Sequence, residues 1–144
     1  MARLNLPRWL APVLVILLIA GVVAASRFIQ PKEVAAVAVD CPNPQAGCSA
    51  NLNGRKIELG VVGELKVLSP FEVWLKAPGA ASVQASFTME GMDMGFNLYT
   101  LRPDAEGVFR ARITLPVCVS GRRDWVITLK IDGQALSVPF VTEL

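Results

Sequence analysis

Three of the four methionines of this chain lie within six residues, from Met89 to Met94. Thioethers are soft, neutral ligands that bind copper(I) without losing a proton, and unlike thiols they do not form disulfides in an oxidising compartment. Glu90 and Asp93 lie in the same segment, but carboxylates are hard ligands that do not favour copper(I). The segment therefore predicts a soft-metal site formed by methionine sulfur atoms.

Side-chain alternation along a strand limits how many of these methionines can meet. Met89 continues the inward-facing set that begins at Val83, whereas Met92 and Met94 have the opposite parity. A Met92–Met94 pair with Met89 in the core is the simplest arrangement. A bend at Gly91 would bring Met89 beside the pair. The alternative is that all three methionines only pack, since methionine commonly fills gaps in a core.

The chain has three cysteines, Cys41, Cys48 and Cys118, so one disulfide leaves a thiol unpaired. We predict a Cys48–Cys118 bridge, which would close a loop of about seventy residues and contribute on the order of 4 kcal/mol in the chain-entropy model. A local Cys41–Cys48 bridge is the alternative, and reduced or metal-bound thiols are a third possibility. Thiol-exchange catalysts use C-x-x-C spacing, and Cys41 and Cys48 do not have it.

The composition excludes several classes of function. The chain has no histidine, which rules out serine-triad, Cys-His and His-zinc chemistry. Its formal net charge is +2, from 14 basic and 12 acidic residues, and no run of Lys or Arg exceeds two residues. The basic footprint of a nucleic-acid binder is therefore missing. We expect no enzymatic activity and no nucleic-acid partner.

The chain is 53% apolar, and part of that excess is concentrated near the N-terminus. Eighteen consecutive uncharged residues run from Trp9 to Ser26, a length that just reaches across the hydrocarbon core of a bilayer. Arg3 and Arg8 precede this run and favour a cytoplasmic N-terminus. We predict a single-pass helix in a bacterial inner membrane, with the following domain in the periplasm. Val23-Ala24-Ala25 also fits a cleavage site, so a removable signal peptide is the alternative.

Beyond this segment, apolar residues recur at every second position, which is typical of strands with one buried face. Five sets show the alternation: Ile57/Leu59/Val61, Phe71/Val73/Leu75, Val83/Ala85/Phe87, Phe109/Ala111/Ile113/Leu115 and Trp125/Ile127/Leu129/Ile131. Asp132-Gly133 is placed to close a two-residue hairpin, and Pro139 predicts an edge position for the last strand. The pattern predicts an all-β fold, an immunoglobulin-like antiparallel β-sandwich of about seven strands.

These patterns divide the chain into four parts. They are a cytoplasmic N-terminus, a transmembrane helix, a stalk with a Cys-containing lead-in loop, and the β-sandwich domain, at residues 1–8, 9–26, 27–50 and 51–144. Removing Arg3 and Arg8 from the 14 basic residues leaves 12 from Arg27 onward, against 12 acidic residues. A neutral external part has no long-range attraction for polyanions or anionic lipid, so we expect short-range contacts with partners.

Four short motifs lie between residues 69 and 132: Phe87 to Gly95, Gly107-Val108-Phe109, Leu115-Pro116 and Trp125-Val126-Ile127. Together they resemble the FixH and YtkA-like group of small exported domains. Members of this group combine an N-terminal membrane helix or signal with an immunoglobulin-like sandwich that carries a Met-Gly-Met type segment. They are associated with copper handling, notably in the maturation of haem-copper terminal oxidases. The resemblance therefore implies copper binding at Met92 and Met94.

The residues and the resemblance together predict a membrane-anchored periplasmic protein that binds or delivers copper(I) through Met92 and Met94, with Met89 as a further ligand. Copper homeostasis or haem-copper oxidase assembly would be its setting. The alternative is a metal-free accessory subunit or assembly factor of a membrane complex. Such a protein would bind its partners through its membrane helix and the rim of its sandwich.

Overall fold

A computed structural model of the protein describes residues 10–29, 35–89, 91–92 and 97–143. The chain divides into two units, Met1–Glu33 and Val34–Leu144. The second unit therefore begins well before residue 51, where the sequence pattern places the start of the β domain.

The first unit contains helix α1, Leu10–Ile29, whose side chains are described from Pro12 to Ser26. Pro12 lies in the first turn of α1. Its missing N–H breaks no hydrogen bond there, because the first N–H groups of a helix have no partner within the helix. The large apolar side chains of α1 are exposed: Val13, Leu14, Val15, Ile16, Leu17, Leu18, Ile19, Val22 and Val23. Within the described residues, no helix has both the length and the apolar character needed to cross a membrane.

The second unit has nine strands among its described residues. They are β1 Val37–Ala38, β2 Cys48–Leu52, β3 Arg55–Val62, β4 Pro70–Lys76, β5 Val83–Met89, β6 Leu98–Pro103, β7 Phe109–Thr114, β8 Asp124–Ile131 and β9 Gln134–Val141. They form one sheet in the order β1-β9-β8-β5-β6-β7-β4-β3-β2. All neighbours pair antiparallel except β1, which runs parallel to β9. The predicted β-rich fold is confirmed, with nine strands where the pattern indicates about seven.

Three of these strands have no clear signal in the sequence. Strand β1 has only two residues, and β2 lies mainly in the segment assigned to the lead-in loop. Strand β6 pairs with β5 over most of its length and with β7 at its end. Because β6 passes from one half of the sheet to the other, only Leu101 in it is buried and no period-two pattern arises.

The five strands with alternating apolar residues form as predicted, and their turns agree with the sequence. In β5, for example, buried and half-buried residues alternate from Val83 to Met89. The Asp132-Gly133 turn has positive φ at both residues, 48° and 82°, as a two-residue hairpin between twisted strands requires. The last strand, β9, is not the edge strand, because β1 lies beside it. Pro139 nevertheless lies beyond the short pairing of β1 with Leu136 and Ser137, so no bond to β1 is lost there.

Aromatic contacts show that the sheet curls around its core. Phe71 on β4 and Phe87 on β5 are not on neighbouring strands, yet their ring centroids are 6.2 Å apart at an interplanar angle of 78°. Phe87 also meets Phe140 of β9 edge to face, with centroids 6.4 Å apart. The two halves of the curled sheet therefore bury a shared core, in which Phe87 is fully buried.

Asp132 joins the β8–β9 hairpin to two other parts of the unit. Its carboxylate accepts hydrogen bonds from the backbone N–H groups of Ala81 and Ser82 at 2.9 and 3.0 Å, and it pairs with Arg55 at 3.0 Å. The Ser82 N–H, the Arg55 guanidinium and the Ala81 N–H together hold the pKa of Asp132 below its usual value. These bonds favour the charged carboxylate in the folded state.

Replacing Asp132 with Asn is expected to reduce the free energy of unfolding at pH 7, and by less as the pH falls. A carboxyl group whose pKa is lower in the folded state stabilises the fold at pH values above its unfolded-state pKa of about 3.9. This stabilisation is lost as the pH falls through the folded-state pKa. Urea unfolding of both proteins at neutral and acidic pH measures the difference. The exposed Glu64→Gln variant serves as a control, and a pH-independent difference for Asp132→Asn would contradict the prediction.

Candidate functional site

The residues with the most distinctive chemistry share one end of the sheet, which we call the loop end. Strand β5 finishes there at Met89, whose register partner on β8 is Trp125, and Trp125 in turn pairs with Phe140 on β9. The remaining antiparallel pairings place the β3–β4 and β7–β8 connections at this same end. The described residues of the loop end are therefore 39–48, 62–70, 89, 91–92, 97–98 and 114–124, with the end of β9.

Met89 and Met92 have different environments at the loop end. Met89 is 2% exposed and lies in the core next to Trp125, whereas Met92 is 37% exposed. The Met92 N–H donates to the Met89 carbonyl at 3.0 Å, and Gly91 between them has φ 71°. The chain therefore turns back at Gly91, where the sequence allows a bend. Met94 lies outside the described residues, as do Glu90 and Asp93.

This arrangement gives the two described thioethers different access to solvent. An exposed thioether at a tight turn is open to a soft metal ion from solvent, so Met92 suits the role of a ligand. Met89 fills the core between strands, and its sulfur could reach such an ion only if the side chain left that position. Within the described ranges, no three Cys, Asp or Glu side chains are grouped so that they could hold a metal ion.

The disulfide joins Cys41 to Cys48, so the predicted Cys48–Cys118 bridge is wrong and the alternative pairing is the one that forms. The intervening loop is folded by its own hydrogen bonds. Ala46 N–H donates to the Asn43 carbonyl at 3.1 Å, and Gly47, with φ 81°, donates to the Pro44 carbonyl at 3.2 Å. These turns bring the two cysteine Cα atoms to 5.8 Å, within the usual range for a disulfide.

Trp74 fixes this disulfide loop against β3. Gly60 on β3 lies directly over the indole ring, and a Cβ at that position would come within 2.6 Å of a ring carbon. Gly47 of the disulfide loop approaches the same ring, and the Pro44 carbonyl accepts from the Val61 N–H at 2.9 Å. The two glycines are thus needed for the close approach of backbone to ring that holds the loop in place.

Cys118 is a free thiol in the β7–β8 connection, and it is only 7% exposed. Its sulfur lies 2.9 Å from the Ser120 hydroxyl. The hydroxyl and the N–H of Ser120, with a smaller contribution from Arg122, hold the pKa of the Cys118 thiol below its usual value. Burial keeps this thiol from solvent, which distinguishes it from the accessible thiols of exchange enzymes.

Replacing Cys41 and Cys48 with Ser is expected to reduce the free energy of unfolding by about 2.5 kcal/mol, because a short loop closed by a disulfide restricts the unfolded chain. Urea unfolding under oxidising conditions measures this difference. Cys118→Ser provides the matched control, since it removes a sulfur but leaves the disulfide intact. A larger loss of stability on adding reductant to Cys41→Ser than to Cys118→Ser would contradict the observed pairing.

A groove of about 440 Å³ lies at the loop end, between the disulfide loop and the edge of β9. Residues 40–45 line it from the disulfide loop, Pro139, Phe140 and Val141 line it from β9, and Trp125 lines it from β8. The groove exists because β1 leaves β9 after pairing with only two residues. Its volume is in the range of sites that bind small ligands or side chains.

Period-two alternation predicts Trp125 as a core residue, but it does not reveal that Trp125 and Phe140 line a groove. That role depends on the path of the disulfide loop, which has no periodic pattern.

No family model matches the chain, and neither a curated protein nor a solved structure shows significant similarity to it.

Proposed function

We propose that this protein binds or delivers copper(I) at the turn that begins with Met89, using the thioethers of Met92 and Met94. The observation that carries this proposal is the half-exposed Met92 side chain, presented at a turn beside a methionine that remains in the core. Thioethers bind copper(I) while neutral, and the chain has no histidine to compete as a ligand. Met89 would be a further ligand after leaving its core position.

We also propose that α1 anchors the protein in a bacterial inner membrane and that the β unit is an immunoglobulin-like sandwich in the periplasm. The exposed apolar surface of α1 supports the anchor, because a helix that is apolar all round suits lipid better than water. The Cys41–Cys48 disulfide supports export, since such bonds persist in oxidising compartments. The contact of Phe71 with Phe87 across the curled sheet supports two facing layers.

In this setting the protein would serve copper homeostasis or the assembly of a haem-copper oxidase. A thioether site holds copper(I) without a negative ligand, so the ion can pass to a site with stronger donors such as thiolates or imidazoles. The resemblance of the segment around Met92 to FixH and YtkA-like domains supports the same role.

Native mass spectrometry of the full-length protein in detergent tests the proposal. After incubation with copper(I) and a competing chelator, we expect about one copper ion for each chain, because one cluster supplies the soft ligands. The same spectrum reports whether the N-terminal segment is retained. A protein that retains no copper against a weak chelator would rule out the copper function.

A second candidate function is a metal-free role as an accessory subunit or assembly factor of a membrane complex. The observation that favours it is the exposure of Val117 and Val119 at the loop end, where Val119 is fully accessible. Surface patches of large apolar side chains commonly mark protein contacts. A Val119→Asp variant that folds but no longer co-purifies with a stoichiometric partner would support this function. Unchanged co-purification of that variant would count against it.

A further inference from the structure

The exposed large apolar side chains of the β unit are concentrated at the loop end. Among its described residues, seven of the eight lie there: Val62, Leu68, Met92, Leu98, Val117, Val119 and Val141. The eighth is Val37, on the short edge strand β1. The opposite end, which carries the Asn53-Gly54 and Asp132-Gly133 turns, presents none of them. Such segregation distinguishes an interaction surface from scattered surface residues.

The groove described above lies at the same end of the sheet, shares Val141 with this apolar surface and has a distinct chemistry. Its walls contain the rings of Pro42, Pro44 and Pro139, and its charged lining residues are Asp40 and Asp124. None of the lining residues that the structure describes is Lys or Arg. The groove therefore offers apolar walls and negative charge.

The two carboxylates differ in how far their charge is already compensated. Asp124 accepts from the Arg122 side chain at 2.9 Å, which holds the pKa of Asp124 below its usual value. Asp40 is exposed and forms no ion pair among the described residues. Asp40 is therefore available to pair with a cation that enters the groove.

Trp125 adds an unsatisfied donor beside the groove. The residue is 1% exposed, and its indole Nε1–H has no hydrogen-bond partner among the residues that the structure describes. A buried donor without a partner carries the full cost of its desolvation. Because Trp125 also lines the groove, a ligand bound there changes the surroundings of this ring, and its N–H signal can report binding.

We propose that the groove binds a basic side chain from an apolar segment of a protein partner. The aliphatic stem of an arginine or lysine packs well against proline and aromatic rings, and its charged head pairs with Asp40. The flanking apolar residues of the segment contact Val141 and the other exposed side chains of the loop end. This inference rests on the partner-binding function proposed above and does not require copper.

A protein segment fits this surface better than a lipid bilayer does. Bilayers of anionic lipid attract basic surfaces, whereas the charge that lines this groove is negative. A concave site that receives one anchoring side chain is a common feature of protein interfaces, where buried arginine is enriched.

The test uses the metal-free, full-length protein in detergent and the capped tripeptide Ac-Leu-Arg-Leu-NH₂, with its Glu and citrulline counterparts. The Nε1–H signal of Trp125 in nitrogen-15 NMR spectra is the readout, assigned with the Trp9→Phe and Trp74→Phe variants. We expect a saturable shift with the Arg peptide. The Arg peptide should bind about fivefold more tightly than the citrulline peptide, as one exposed ion pair predicts, and the Glu peptide more weakly still.

Asp40→Asn should remove the preference for Arg over citrulline. Glu106→Gln, which neutralises an exposed carboxylate at the other end of the sheet, should leave that preference unchanged. Equal binding of the Arg and Glu peptides, no saturable shift, or a preference that survives Asp40→Asn would each overturn the proposal.

A second measurement distinguishes protein from lipid as the occupant. In nanodiscs that contain a lipid with a paramagnetic acyl chain, the methyl signals of Val117 and Val119 should keep their intensity. Selective loss of those signals would assign the loop end to the bilayer and overturn the proposal. If Val119→Asp abolishes co-purification of a partner while the peptides fail to bind, only the groove inference fails.

Discussion

Replacing Met92 and Met94 together with Leu is expected to weaken copper(I) binding by more than about 100-fold, since even outer-shell changes at metal sites cost roughly 10- to 100-fold. Leucine is similar in size and apolar character to methionine but has no sulfur to donate. Because Met92 is at an exposed turn, this substitution should leave the core unchanged. Chelator competition with full-length protein in detergent measures the affinity, and circular dichroism checks the fold.

Met89→Leu is the matched control for this experiment. It removes the same chemical group from a side chain that is 2% exposed and packed beside Trp125. We expect this variant to lose much less copper(I) affinity than the double variant, because Met89 can act as a further ligand only after leaving the core. If Met89→Leu weakens binding as much as the double variant does, then Met89 must leave the core to join the site. If the double variant retains copper like the unmodified protein, the methionine turn is not the metal site.

The largest expected effect on stability comes from Phe87→Ala, which should reduce the free energy of unfolding by about 4 kcal/mol. Phe87 is fully buried. It makes edge contacts with Phe71, Tyr99 and Phe140, at centroid distances of 6.2, 5.8 and 6.4 Å. Its removal would leave a cavity between the two halves of the curled sheet, which rigid strands on both sides cannot readily fill.

Urea unfolding monitored by tryptophan fluorescence measures this loss. Val141→Ala is a suitable comparison, because Val141 is 64% exposed on β9 and exposed substitutions usually change stability by less than about 0.5 kcal/mol. Core substitutions that conserve volume usually cost less than about 1.5 kcal/mol. A loss that small for Phe87→Ala would mean that this ring does not hold the two halves of the sheet together.

The sequence predicts the strands of this protein best where one face of a strand is buried. The alternating residues of β5 and β8 appear as alternating burial in the structure. The sequence does not predict β6, where only Leu101 is buried because the strand joins the two halves of the curled sheet. Apolar residues alternate along a strand only when one of its faces is buried throughout. A strand that changes neighbours along its length has no such continuous buried face.

The disulfide shows the same limit from another direction. Three cysteines permit several pairings, and loop entropy alone favours the long Cys48–Cys118 closure. The structure instead pairs Cys41 with Cys48, because the turns at Asn43 and Gly47 and the contact with Trp74 bring those two residues together. Chain entropy determines how much a disulfide stabilises the fold once it has formed. Local backbone geometry decides which disulfide can form.

By itself, the sequence determined the β-rich character of the unit, the strand parity that places Met89 in the core, the hairpin at Asp132-Gly133 and the absence of histidine ligands. These follow from local conformational preference and composition, which need no knowledge of distant contacts. Only the tertiary structure decided that the chain turns back at Gly91 with Met92 exposed, and that the disulfide loop forms a groove with β9 beside Trp125. These features depend on strand register and on the curl of the sheet, which are set by packing between residues far apart in the chain.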